Sequence, residues 1–377
     1  MTDTDFMRVA LRLARRGRGT TSPNPMVGAL VVRAGQILGR GWHHRAGENH
    51  AEIEAMRDAA VGHGHSLAGA TLYVTLEPCS TQGRTPACTG AIIEARIKRV
   101  VVGATDPNPA HAGCGFEILR RAGIEVVHGV LAEECDRLNE VFNQWIVRGT
   151  PLVTVKAAMT LDGKIATASG ESKWITGERA RAHGMKLRWQ SDAILVGINT
   201  ILADDPSLTV RPERRAPSNR HSFRRIVLDS QARTPLTAKI VTDAFAGSTI
   251  IVVGKNAPKR RVAALAAKVN VLVAPTTKRP AAPGHHALDL RWLLKRLGRD
   301  NITSLLVEGG GEVNASFLLG GFAQRVAFFY APKILGGRDS RKAVAGDGAR
   351  TLRESIPLTD LRWQKLGPDL LLTARVG

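Results

Sequence analysis

Four side chains stand out by type and spacing. NHAEIEA at 49–55 places His50 and Glu52 two residues apart, and TLEPCSTQGRTPACTG at 75–90 supplies Cys79 and Cys88. One imidazole and two thiolates make up the three protein ligands of a catalytic Zn²⁺ site, which leaves the fourth position to water. Zinc lowers the pKa of that water toward neutrality and so yields hydroxide as a nucleophile. A carboxylate that is not a ligand must then carry protons from water to the leaving group, and Glu52 is placed for it. H-x-E followed by P-C-x-x-C marks zinc deaminases. Here eight residues separate the cysteines, so the pattern is only partly met. A helix beginning at Cys88 would aim free N–H groups at its sulfur and favour the thiolate. A structural zinc site is the competing chemistry, but such a site closes with four ligands and leaves Glu52 without a task. Nothing in the spacing of His43, His44, His63 and His65 makes one of them a fourth ligand, and surface or supporting roles are expected. Cys114 and Cys135 lack such company and read as packing residues.

The elements that must position these groups alternate between strand and helix. Apolar residues at helical spacing predict a first helix over 3–16, followed by the turn-rich TSPNPMVG. GALVVRAGQILGRGWH reads as two strands around a glycine turn, 50–60 as a helix, TLYVTL as a strand and 88–95 as a helix. RVVVGATDPNP, a helix over 117–122, IEVVHGV and one helix over 131–147 complete a first α/β layered unit. VRGTP ends it. From Pro151 a second unit follows, with strands in PLVTVKAAM, DAILVG, RRIVLD, STIIVVG, VNVLVAP, SLLVEGGG, RVAFFYAPKILGG and DLLLTARV. Helices are expected near 258–267, 288–297 and 312–319. The basic stretch RPERRAPSNRHSFRR (211–225) reads either as a solvated connection or as an anion site.

Composition sets the class. A chain of 377 residues favours two domains, and 44% hydrophobic with 23% charged residues is a soluble globular balance. No apolar run approaches the roughly 18 residues of a membrane span, and the start lacks a secretory signal pattern, so a cytoplasmic location is expected. Four cysteines give no disulfide framework. The net charge of +20 is uneven: residues 1–150 hold 17 Lys+Arg against 15 Asp+Glu, and residues 151–377 hold 36 against 18. A basic excess of this size suits an anionic partner, either nucleic acid or a phosphorylated small molecule.

The motifs taken together resemble the bifunctional riboflavin-biosynthesis deaminase–reductase family. TSPNPMVGALVV, GRGWHHRAGENHAEIEA, YVTLEPCSTQGRTPAC and TDPNPAHAGCG match its deaminase half. VKAAMTLDGKIATASGESKWIT, DAILVGINTILADDPSLTVR and LLVEGGGEVNASFL match its reductase half. The wide cysteine gap with GRTP inside it belongs to this pattern. The resemblance implies a cytidine-deaminase-like α/β/α sandwich over 1–150 and a dihydrofolate-reductase-like α/β domain over 151–377. It implies Zn²⁺ on His50, Cys79 and Cys88, proton transfer by Glu52, and Asn24 as a base contact. The first half would hydrolytically deaminate 2,5-diamino-6-ribosylamino-4(3H)-pyrimidinone 5′-phosphate, and the second would reduce the ribosyl to a ribityl chain with NADPH. Cofactor contacts are implied for Ala158, Trp174, Thr200, Asp204, Gly309, Gly310 and Gly311, and substrate contacts for Ser172, Arg188, Arg211 and Glu308. Glycines before a helix can offer backbone N–H groups to a phosphate, and arginines can grip one with paired donors. Lys156 and Lys164 would add positive potential. The partners implied are a phosphorylated pyrimidine and a second copy joined through the reductase half, with no nucleic acid and no membrane.

Two positions depart from the family pattern. Thr81 stands where a histidine is usual, which predicts activity with altered affinity, and Asn49 stands where a proline is usual, which predicts a change at the helix entry only. A nucleic-acid base deaminase with an accessory nucleotide-binding domain is the main rival. It shares the zinc chemistry, yet the excess charge lies away from the zinc half and the cysteine spacing differs.

Overall fold

The computed structural model describes residues 1–81, 86–210, 223–277 and 287–377. Its chain divides into two compact units, Met1–Gly149 and Thr150–Gly377.

In the first unit, α1 (Asp3–Ala14) begins with a capping box between Thr2 and Asp5. There follow β1 (Gly28–Arg33), β2 (Gln36–Trp42), α2 (Ala51–Arg57), β3 (Thr71–Leu76), α3 (Cys88–Glu94), β4 (Arg99–Ala104), α4 (Cys114–Arg121), β5 (Glu125–His128), α5 (Ala132–Leu138) and α6 (Glu140–Arg148). The sheet order is β2-β1-β3-β4-β5, with β1 antiparallel to β2 and β3 and the remaining pairs parallel. Two sets of glycines fix the layers. A Cβ at Gly28 would strike the backbone of Ala10 and Ala14 on α1, and Cβ atoms at Gly39 and Gly41 would strike α2 at Ala55. Gly41 pairs with Ala29 and Gly28 with Trp42, so these glycines point to opposite faces of the sheet. Helices α1 and α2 therefore cover opposite faces, which is the α/β/α sandwich expected. The apolar interior runs from Met7 and Leu11 through Leu30, Leu72 and Val101 to Leu119.

The helix expected over 131–147 is two helices, with the break at Asn139. That side chain is buried and spent on the loop before β1: Met26 N–H donates to Asn139 Oδ1 (2.8 Å), and Asn139 Nδ2 donates to the Met26 carbonyl (3.0 Å). Helical spacing cannot reveal such a long-range clasp. Cys135 is buried as a packing residue, whereas Cys114 opens α4 on the surface, contrary to expectation.

The second unit contains β6 (Leu152–Thr160), β7 (Lys164–Ala166), α7 (Glu178–Trp189), β8 (Ala193–Gly197), α8 (Ile198–Asp204), β9 (Arg224–Leu228), α9 (Lys239–Thr242), β10 (Thr249–Gly254), α10 (Lys259–Ala266), β11 (Asn270–Ala274), α11 (Leu290–Arg299), β12 (Ser304–Val307), α12 (Gly311–Leu319), β13 (Arg325–Ala331), β14 (Arg341–Lys342), β15 (Leu358–Leu366) and β16 (Asp369–Val376). Among the described residues its main sheet runs β11-β10-β9-β8-β12-β6-β13-β16-β15, parallel as far as β13 and antiparallel beyond it. One face is closed by Leu293, Leu294 and Leu297 of α11 with Phe317 of α12, the other by Ile201, Ile240 and Leu265. Helix α7 and strand β15 were not anticipated. Their surfaces are largely polar, and β15 is exposed along most of its length. Arg225, read as part of a basic loop, is buried in β9 and donates to both oxygens of Asp243 (2.6 and 2.8 Å).

Neighbouring strands β8 and β12 send the chain in opposite directions, β8 on to β9 and β12 on past β6 to β13. Ligands of open α/β sheets bind at such a switch point, outside the carboxyl ends of the strands.

Candidate active sites

Helix α2 starts where the sheet allows it to lie closest, and His50 is its N-cap residue. Glu52, one position into the helix, turns inward and is only 3% exposed. Pro78-Cys79 follows β3 after Glu77, and Cys88 is the first residue of α3. His50 Nδ1 lies 3.5 Å from Cys79 Sγ and 3.3 Å from Cys88 Sγ, and the three donor atoms lie within 4.8 Å of one another. Zn–S bonds of about 2.3 Å and Zn–N bonds of about 2.0 Å at tetrahedral angles put sulfur and nitrogen about 3.5 Å apart. The donor set fits zinc in type and in spacing.

The electrostatics fit as well. The Cys79 thiol is pulled down, first by the hydrogen bond from the Cys88 thiol and then by His50, against the opposing effect of burial. The Cys88 thiol is pushed up by the same hydrogen bond and by burial, and His50 is raised by its bond to Cys79. The helix N–H expected to favour the Cys88 thiolate serves its neighbour instead, since Cys88 N–H donates to Cys79 Sγ at 3.3 Å. Burial lifts the Glu52 carboxyl above the usual range, with His50 opposing. A carboxyl raised in this way holds a proton more readily, which suits a group that takes a proton and passes it on.

His50, Glu52 and Cys79 open on a cavity of about 220 Å³ that Asn24 also lines. The backbone carbonyl of Asn49 accepts from His43 Nδ1 (2.9 Å), which leaves His43 Nε2 to accept from the Asn24 amide (3.1 Å). His43 is thus the buried support of Asn24, one of the two roles its sequence context left open. Glu77, Asp106 and Phe142 were missed. Glu77 accepts from the N–H groups of Asp106 (3.1 Å), Gly113 (3.0 Å) and Gly115 (2.9 Å), so one carboxylate ties the 105–115 loop to the cysteine-bearing turn. The TLEPC and TDPNP motifs carry both residues, but only the fold brings them together. Asn49 does more than set the helix entry, because its amide holds Glu54 Oε1 at 2.9 Å. Thr81 is exposed.

In the second unit a cleft of about 800 Å³ lies at the switch point between β8 and β12. Ser172, Thr200, Asp204, Glu308, Gly309, Gly310 and Gly311 all line it. Gly309 and Gly311 cannot carry a side chain, since a Cβ would strike Val313 at the first and the Lys342 carbonyl at the second. Ala158, Trp174 and Arg188 stand off the lining. Ala158 packs on the cluster of Phe329 and Leu371, and Trp174 is exposed with the Arg181 guanidinium 4.7 Å over its ring. Arg188 does not offer free paired donors: its Nε and Nη2 hold Glu308 at 2.8 and 2.9 Å, and Lys156 Nζ approaches the same carboxylate at 3.3 Å. Burial would raise Glu308, but Lys156 and Arg188 outweigh it and hold the carboxyl down at about 2. Arg211 lies outside the described residues. Arg341 and Lys342, on the short strand β14, are cleft residues that no motif had flagged.

Comparison with known proteins settles the family. The cytidine and deoxycytidylate deaminase zinc-binding region matches residues 1–104, and the RibD C-terminal domain matches residues 151–372. Riboflavin biosynthesis protein RibD of Actinobacillus pleuropneumoniae is 44% identical over 99% of this chain and 95% of its own length. The Escherichia coli (strain K12) protein of that name is 40% identical over 99% of each. The chain belongs to the RibD family.

Acinetobacter baumannii RibD superposes with a TM-score of 0.86 at 35% identity, covering 100% of this chain and 99% of the other. The Thermotoga maritima diaminohydroxyphosphoribosylaminopyrimidine deaminase/5-amino-6-(5-phosphoribosylamino)uracil reductase does so at 0.80 and 34%, with the same coverage. As a RibD the chain is a bifunctional enzyme of riboflavin biosynthesis, a deaminase and a reductase in one polypeptide acting on a small pyrimidine. Its cofactors are Zn²⁺ for the first reaction and NADPH for the second. The nucleic-acid deaminase reading gives way to full-length agreement with RibD. No helix among the described residues is long and apolar enough to cross a membrane.

Proposed function

We propose that residues 1–150 deaminate 2,5-diamino-6-ribosylamino-4(3H)-pyrimidinone 5′-phosphate and that residues 151–377 then reduce its ribosyl group. The observation that carries the first half is the convergence of the His50, Cys79 and Cys88 donor atoms at a small cavity that His50, Cys79 and buried Glu52 line. His50, Cys79 and Cys88 hold the zinc, which when bound supplies the Lewis acidity that activates water. Glu52 takes the proton from the attacking water and returns it to the leaving amino nitrogen. Asn24, its amide oriented by His43, hydrogen-bonds the pyrimidine edge. The cavity walls exclude bulk water and keep the exchange between Glu52 and substrate local.

In the second half, Thr200 and Asp204 on α8 and the Gly309–Gly311 turn at the start of α12 receive the nicotinamide nucleotide. The start of α12 lines the cleft, and the free backbone N–H groups of a helix start suit a diphosphate. Ser172 and Glu308 hydrogen-bond the sugar hydroxyls of the substrate, and Glu308 stays ionised because Arg188 and Lys156 flank it. Arg188 thereby shapes the substrate pocket through Glu308, and Arg211 supplies a phosphate contact. Hydride transfer asks mainly that cofactor and carbonyl be held in register.

The protein acts in the cytoplasm on a small molecule and not on nucleic acid. Its basic excess lies in residues 151–377, while residues 1–150, which carry the zinc ligands, are nearly balanced. It pairs with a second copy through the reductase half, where edge strand β15 exposes Leu361 and Trp363. The direct test of the residue roles is Glu52→Gln. Ammonia release should fall by about 10²–10⁴-fold with zinc content unchanged, and full activity in the variant would refute the assignment.

A further inference from the structure

The reductase cleft holds two cations for which the roles above provide no work. Two acids on its walls already have partners: Asp204 Oδ1 lies 3.0 Å from Lys173 Nζ, and Glu308 is shared by Arg188 and Lys156. Arg341 and Lys342 also line it, and among the described residues neither forms an ion pair. Among the described residues the one other acid on the lining is Glu312, in the first turn of α12.

Both cations are held in place by a built scaffold. Strand β14 pairs with β7, matching Arg341 to Ala166 and Lys342 to Lys164. Ala343 N–H donates to the Gly163 carbonyl (3.0 Å), and Ala345 N–H donates to that of Gly311 (3.1 Å). Asn314 of α12, fully buried, donates to the Ala343 carbonyl at 2.8 Å. Gly311 lies so close to the Lys342 carbonyl that no Cβ fits between them. The segment is therefore strapped across the start of α12 with its two cations on the cleft. The Arg341 guanidinium also reaches Gly170, another lining residue, where Nη2 would be 3.3 Å from an added Cβ.

We propose that Arg341 and Lys342 form a phosphomonoester site in the reductase cleft, an inference that rests on the reductase reading above. A phosphomonoester carries close to two negative charges at neutral pH and several strong acceptor oxygens, which two adjacent cations match. A diphosphate on backbone N–H groups at the α12 start needs no such pair. Two ligands of this enzyme bear the group: the cofactor, through the phosphate that distinguishes NADPH from NADH, and the substrate, through its 5′-phosphate.

Binding to the full chain separates the two sources. NADPH and NADH are titrated by fluorescence and ribose 5-phosphate by calorimetry, against wild type and Arg341→Gln/Lys342→Gln, with Arg341→Lys as the charge-keeping control. Loss of one or two charged hydrogen bonds predicts a drop of about tenfold to a hundredfold. If NADPH weakens by that much while NADH and ribose 5-phosphate hold, the site reads the cofactor. If ribose 5-phosphate alone weakens, it reads the substrate. In either case Arg341→Lys retains most of the affinity. Unchanged binding of all three ligands overturns the proposal, and so does NADH weakening as much as NADPH. Failure of the wild type to bind either dinucleotide would instead refute the reductase reading itself.

Discussion

At the scale of single residues, burial decides which groups can do chemistry and which hold them. Glu308 gives a pH prediction with a definite sign. Its carboxyl is held near 2 in the folded protein, below the ordinary value of about 4.5, so it binds a proton more readily when unfolded. Its contribution is present above about pH 4.5 and is lost as pH falls through that range toward 2. Equilibrium unfolding of residues 151–377 followed between pH 5 and 2 should show this loss, on the order of 3 kcal/mol. Glu308→Gln should flatten that part of the profile while lowering stability at pH 7, because Arg188 and Lys156 are left without their anion. Much of the residue scale was legible in advance. His50, Glu52, Cys79 and Cys88 were readable because zinc chemistry demands those types in few combinations. Glu77 and Asp106 were not, since their work is to bind backbone groups, which any polar residue can do and no spacing reveals.

Elements position those residues, and glycine sets how closely. Gly39 and Gly41 let α2 lie against β2, which delivers His50 and Glu52 to the end of β3. Gly41→Ala should displace α2, cost about 1–3 kcal/mol in stability and weaken zinc retention during dialysis against a chelator. An unchanged melting temperature and zinc content would show that the close approach is dispensable. The Asn139 break makes a second case. Asn139→Ala should destabilise residues 1–149 by about 1–3 kcal/mol, because the Met26 N–H and carbonyl lose their partner, as denaturant midpoints would show. Strands with continuous apolar runs, such as TLYVTL and DAILVG, were found correctly from sequence because both their faces are buried. Helix α7 and strand β15 escaped because most of their surface is polar or exposed, which leaves little apolar periodicity to read.

At the scale of the whole molecule, two units with separate cores carry two chemistries, and their stabilities should respond to different ligands. Zinc removal should lower the melting temperature of residues 1–149 and leave NADPH affinity unchanged, a comparison that calorimetry on apo and zinc-loaded protein makes directly. The break that VRGTP predicts lies where the chain divides into its two compact units. The cleft between β8 and β12 was not, because a switch point is a property of strand order. The central claim, that one chain runs deamination and reduction in sequence, is tested most directly by one time course. Zinc-loaded protein is given the diaminopyrimidinone phosphate and NADPH, and ammonia release and NADPH oxidation are followed together. Ammonia should appear first, with NADPH consumed in equal amount after it. Ammonia without NADPH oxidation, or neither signal, would contradict the account.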